Sequence, residues 1–196
     1  YLTFAVHYFL IDQDIPNTII GIDQRDESRE RNFQIATDLG LNDSVSFRAE
    51  KIAELGKEKV DLAIALHACD TATDDAIAWS INNEAQIVLV SPCCHHDLQT
   101  QIVKVAEPWS IVTKNGILKE RLGDILTDSL RAQILKLHGY RTDIVEFVGD
   151  EHTPRNLLIR SVLTRSVIEG DEKAKYKELL NIWSVKPHLA EILNFE

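Results

Sequence analysis

"VDLAIAL", Val60 to Leu66, and "QIVLVS", Gln86 to Ser91, are nearly unbroken apolar runs of strand length. A strand that is apolar on both faces must be covered on both, which an open antiparallel sheet with one wet face does not do. The cover is written between the runs. "ESRERNFQIATDLG" sets Phe33, Ala36 and Leu39 on one helix face before Gly40, a C-terminal cap. "DTATDDAIAWSINN" repeats Ala72, Ala76 and Trp79 near a period of 3.6, with Thr71 and Asp74 at capping-box spacing. "TIIGID" (Thr18 to Asp23) and "VSFRAE" (Val45 to Glu50) supply two further strands. Strands alternating with helices predict an α/β fold, a doubly wound and mainly parallel sheet.

The remaining segments fit around that sheet. Tyr1 to Ile11 carries Leu2, Ala5, Val6, Phe9 and Leu10 at helical spacing, and the stretch around Pro16 ends it. Lys51 to Glu58 reads as a short helix or loop, "HDLQTQIVKVA" as a short helix, and residues 108–118 as irregular. Leu122, Leu126, Leu130, Ile134 and Leu137 form one stripe of a long helix closed by Gly139. "YRTDIVEFV" and "NLLIRSVL", joined by "GDEHTPR", predict an antiparallel hairpin. Residues 171–183 form an amphipathic helix that ends before Pro187, with a short one after it. The expected organisation is one domain over residues 1–165 and a helical extension over 166–196.

In a doubly wound sheet, ligands bind beyond the carboxyl ends of the strands. Those ends are Asp23, Glu50, His67 to Asp70, and Pro92 to His96. A carboxylate such as Asp23 can accept hydrogen bonds from both hydroxyls of a ribose, and it can equally cap the following helix. The stretch "SPCCHHDL", with Cys69 nearby in the chain, admits several readings: a metal site, a redox pair, small buried thiols, or the lip of an active site. Adjacent residues on an extended segment point to opposite faces, and no C-x₂-C spacing is present, so the expectation is no metal. A vicinal disulfide is strained, which weighs against a redox pair.

The net charge is −10 and the pI about 5.2, so a broad basic surface for nucleic acid is absent from the total, though a local patch is compatible with it. No apolar run reaches the roughly 18 residues a membrane span requires. Three cysteines, an odd count, fit reduced thiols in a cytoplasmic setting. With no methionine anywhere, the expectation is that coding sequence precedes Tyr1.

"LHACDTATDDAI" together with "SPCCHHDL" resembles the paired motifs of class I S-adenosylmethionine-dependent methyltransferases, of the methyltransferase-like 25 and glutathione S-transferase C-terminal-domain-containing type. The pair is also similar to the acceptor-stem tRNA 2′-O-methyltransferases, which carry a comparable Cys-Cys-His-His segment. The likeness runs from residue 1 to about residue 163. It implies a Rossmann-like sheet whose first strand and glycine-rich loop would precede "YLTFAVHYFL" and are missing from the chain. It implies S-adenosylmethionine as cofactor, with Asp23 at the ribose, Glu50 by the adenine, and Leu66, His67 and Ala68 along the cofactor's other side. Asp70, Pro92, Cys93, Cys94 and His96 would border the acceptor. His67 or His95 would take a proton where the acceptor has one to lose. Asp70 stands where many relatives have glycine.

The acceptor implied is RNA, either tRNA or rRNA. Arg121, Arg131, Arg141, Arg155, Arg160 and Arg165 supply what basic density the second half has. A protein or small-molecule acceptor, a non-catalytic methyltransferase-like binding module, and a zinc-binding structural domain stand as alternatives. The oligomeric state is not legible.

Overall fold

The computed structural model describes residues 1–66, 68–103, 105, 107–149, 155–166 and 170–195. The chain divides into two compact units, Tyr1–Gly56 and Lys57–Glu196.

The first unit contains helix α1 (Leu2–Asp12), strand β1 (Ile19–Asp23), helix α2 (Asp26–Asp38), strand β2 (Val45–Ala49) and a single 3₁₀ turn (Ile52–Glu54). β1 and β2 run parallel, with Ile19 opposite Val45 and Asp23 opposite Ala49. α2 ends as the sequence predicts. Gly40 adopts φ +67°, its N–H donates to Thr37 O, and the Leu41 N–H donates to Ala36 O, which together form a Schellman cap. The small core is Phe4, Ala36 and Val45, joined by Ile35, Leu41 and Phe47. Gly21 faces Phe47 across the ladder, and a Cβ at Gly21 would lie 2.6 Å from the Phe47 ring. Glycine leaves room for that ring, which packs against Phe4 at 5.6 Å between ring centroids.

The second unit contains β3 (Leu62–Leu66), α3 (Thr71–Asn82), β4 (Ile87–Ser91), α4 (His96–Gln101), α5 (Ser110–Thr113), α6 (Gly116–Leu137), β5 (Tyr140–Glu146), β6 (Leu157–Leu163), α7 (Glu172–Trp183) and α8 (His188–Ile192). Its sheet has the order β3-β4-β6-β5. β3 and β4 are parallel, and β6 runs antiparallel to both β4 and β5. The predicted hairpin is therefore β5 and β6. Its turn is closed from Asn156, whose side-chain amide donates to Val148 O at 2.8 Å, while residues 150–154 of its loop lie outside the described residues. Ile77, Val88, Leu98, Leu130, Ile134 and Ile159 are among the buried side chains of the core. Each such side chain contributes about 1.5–3 kcal/mol relative to leaving it exposed.

Several expectations change. The strands fall into two sheets rather than one, because β1 pairs only with β2 while β3 stands at the edge of the second sheet, among the described residues. Residues 108–118 are not irregular throughout: α5 occupies part of them, and α6 begins at Gly116. The Thr71–Asp74 capping box does not form, since the Asp74 carboxylate is taken by Arg131 from α6. The apolar stripe of the predicted C-terminal amphipathic helix is core, as its periodicity suggests: Tyr176 and Trp183 are buried in the second unit with Val185 and Leu189. The segment is also tied to α4 by a reciprocal amide pair: Gln101 donates to Lys186 O at 3.1 Å and accepts from Lys186 N–H at 2.8 Å. Among the described residues, no helix is long and apolar enough to cross a membrane.

Candidate active site

In the first unit, Asp23 closes β1 and turns its carboxylate to Arg25. The Arg25 backbone N–H and Nε each donate to Oδ1 at 3.0 Å, and Nη2 donates to Oδ2 at 2.9 Å. That guanidinium hydrogen bond is the main reason the Asp23 carboxyl is lowered to about 2. Asp23 does not cap α2 with its side chain, because the residue at the cap position is Arg25. Both carboxylate oxygens are thus held by an arginine whose side chain is 68% exposed, and the Ser28 side chain adds a further hydrogen bond. Glu50 follows β2 and is exposed, with its backbone N–H on Asp23 O.

In the second unit, β3 ends at Leu66, and His67 lies outside the described residues. The carbonyl of Ala68 accepts from the Thr73 hydroxyl, and Cys69 is exposed. Asp70 then takes φ +53° and ψ −118°, a backbone geometry that favours glycine. Two interactions hold it there. Its carboxylate accepts from Asp97 N–H, 3.1 Å from each oxygen, and its carbonyl accepts from Arg131 Nη2 at 2.9 Å. Burial, and next the charge of Asp70, push the Asp97 carboxyl above the usual range.

β4 ends at Ser91, and the loop after it is anchored at three points. The Ser91 hydroxyl donates to Leu157 O on β6 at 3.0 Å. The Cys93 carbonyl accepts from Arg155 Nη1 at 2.8 Å. His95, buried to 3% exposure, sets Nε2 2.9 Å from Asp128 and Nδ1 3.1 Å from Asp124, the latter out of line for a hydrogen bond. Pro92 is buried, Cys93 and Cys94 are half-buried, and His96 is exposed. Of the two adjacent histidines, His95 therefore faces inward and His96 outward.

The carboxylates that receive His95 belong to a buried network. Arg131, 2% exposed, donates through Nε to Asp74 at 2.7 Å, through Nη2 to the same carboxylate at 3.1 Å, and through Nη1 to Asp128 at 3.3 Å. Sequence reasoning missed this role of Arg131 and its partners. The signal was present: Asp124, Asp128 and Arg131 recur at i, i+4 and i+7 on α6, a charged row beside the leucine stripe.

The three thiols come together, which alternation along an extended strand did not predict. Past Ser91 the chain leaves the strand, so Cys93 and Cys94 need not diverge. Cys93 Sγ lies 3.7 Å from Cys94 Sγ and 3.8 Å from Cys69 Sγ, and all three sulfurs fall within 4.8 Å of one another. None forms a disulfide. Burial, then hydrogen bonding to the neighbouring thiols, pushes the Cys93 thiol up to about 12.

A family model described as a methyltransferase domain matches residues 1–101, the stretch that carries Asp23, Glu50, the three cysteines, His95 and His96. No curated protein matches the chain. A crystal structure of a Clostridium thermocellum protein, provisionally described as an rRNA-methylase, is similar over 80% of this chain and 77% of its own, at 12% sequence identity and a TM-score of 0.45.

Proposed function

Because the chain belongs to the methyltransferase-domain family, we propose that it takes part in S-adenosylmethionine-dependent methyl transfer, with RNA as the acceptor. The observation that carries the reading is Asp23: a carboxylate at the carboxyl end of a parallel strand, inside the segment the family model matches. Its acceptor oxygens fit the two hydroxyl donors of a ribose diol. It already accepts hydrogen bonds on both oxygens, and its side-chain ion-pair partner, Arg25, is a surface residue. Cofactor binding therefore requires Arg25 to yield Asp23. Glu50 stands at the end of the neighbouring strand to face the adenine.

The bound cofactor supplies a methyl group on a sulfonium, and what the protein adds is alignment and exclusion of water. In the second unit, Leu66 and Ala68 line the cofactor side, while Pro92, Cys93 and Cys94 border the acceptor on a loop held from three directions. Asp70 and His96 complete that border. His67 is the proton acceptor in this reading. His95, locked between Asp124 and Asp128, acts by positioning the loop. The resemblance of the paired motifs to acceptor-stem tRNA 2′-O-methyltransferases supports RNA. The net charge of −10 favours a second reading, an acceptor without a polyphosphate backbone.

Calorimetric titration of S-adenosylmethionine and S-adenosylhomocysteine into the protein tests the proposal. Binding is expected, and Asp23→Ala should abolish it. A folded protein that binds neither ligand removes the enzyme reading. Transfer of labelled methyl to a protein or small molecule, with none to RNA, decides for the second acceptor class.

A further inference from the structure

We propose that Cys69, Cys93 and Cys94 form a three-thiolate site for a thiophilic metal ion, with zinc as the ion, at the loop that borders the acceptor in the methyl-transfer reading but argued from the sulfur geometry alone. The spacing carries it. Zinc binds thiolate at about 2.3 Å, so the sulfurs of a tetrahedral site stand about 3.8 Å apart. The two shortest sulfur separations are 3.7 and 3.8 Å, and the third is no more than 4.8 Å. The ligands come from two loops, after β3 and after β4, which are bound to the fold without any metal. Cys69 precedes Asp70, whose constrained backbone is held by Asp97 N–H and Arg131. Cys93 is held through its carbonyl by Arg155. This is the preorganisation a metal site needs from its supporting residues.

His95 is adjacent in sequence and chemically suited, yet it is excluded as a fourth ligand because it is buried against Asp124 and Asp128. The fourth position falls to water or another exchangeable ligand. Three protein ligands and an exchangeable one is the pattern of zinc sites that act on a bound group. On binding, each thiol releases one proton to buffer and forms one sulfur–metal bond, with no change of oxidation state.

The test is anaerobic cobalt(II) titration of the reduced full chain, alongside Cys69→Ser and Cys93→Ser. The expected result is saturation at one equivalent, tetrahedral d–d bands in the visible, and a near-ultraviolet charge-transfer band with the intensity of three thiolates. Zinc should bleach the spectrum. Each serine variant, with unchanged far-ultraviolet circular dichroism, should lose one thiolate's worth of that band or fail to bind. Cobalt that stays in its aqueous octahedral spectrum overturns the site, as does a full-intensity band in Cys69→Ser. If a variant unfolds, thiol counting on the parent protein decides: zinc should protect all three cysteines from a thiol reagent, and equal reactivity with and without zinc overturns the proposal.

Discussion

At the scale of single residues, Asp23 and Asp70 show how far an environment departs from what a residue type suggests. The Asp23 carboxyl, lowered to about 2 chiefly by the Arg25 hydrogen bond, favours the folded state when ionised. That contribution is complete above the ordinary carboxylate range and is lost as pH falls towards 2. Arg25→Ala should return the Asp23 titration to the ordinary range, as read from the side-chain carboxyl signal by NMR. An unchanged midpoint would mean the arginine is not its principal partner. Asp70 holds a backbone conformation with φ +53° in which a Cβ is costly. Asp70→Gly and Asp70→Ala lose the same carboxylate and differ only in that carbon. Glycine should be the more stable by about 1 kcal/mol in urea unfolding. The family resemblance implies glycine here in many relatives, but the sequence alone could not show that aspartate adopts the glycine geometry, because the stabilising partners lie at Asp97 and Arg131.

At the scale of elements, local signals were read well and distant ones poorly. The strands and both glycine caps follow from residues within a few positions of one another, and Gly139 has φ +86° at the end of α6 as expected. What was not legible depends on pairing across the chain. Asp74 abandons a local capping box for Arg131, 57 residues away, and the two thiols of a vicinal pair converge on a third from another loop. The buried guanidinium also makes α6 sensitive to replacement. Arg131→Ala leaves Asp74 and Asp128 buried with fewer partners and should cost about 3–5 kcal/mol in chemical denaturation. Combining Arg131→Met with Asp74→Leu, which removes both charges of the closest pair, should cost less than the single change. Equal loss in the two proteins would show that packing, rather than the unpaired charge, dominates.

At the scale of the whole molecule, the two compact units carry very different cores. The first rests on Phe4, Ala36 and Val45 with a two-stranded sheet, whereas the second buries a large continuous cluster under four strands. Local opening follows buried contact density. Hydrogen exchange followed by mass spectrometry should therefore release the amides of β1 and β2 well before those of β4 and β6. Simultaneous exchange would instead mean that the two units unfold together.

The amide clasp between Gln101 and Lys186 gives the loop after β4 an unusual history. α4 begins at His96, directly after the thiols, yet the partner that fastens its far end is made some 85 residues later. As the polypeptide leaves the ribosome, α4 can dock on Asp70 and on α6 through Asp124, but its C-terminal end stays unclasped until Lys186 has been made. The order of synthesis thus makes the far end of α4 one of the last parts of the second unit to be fastened.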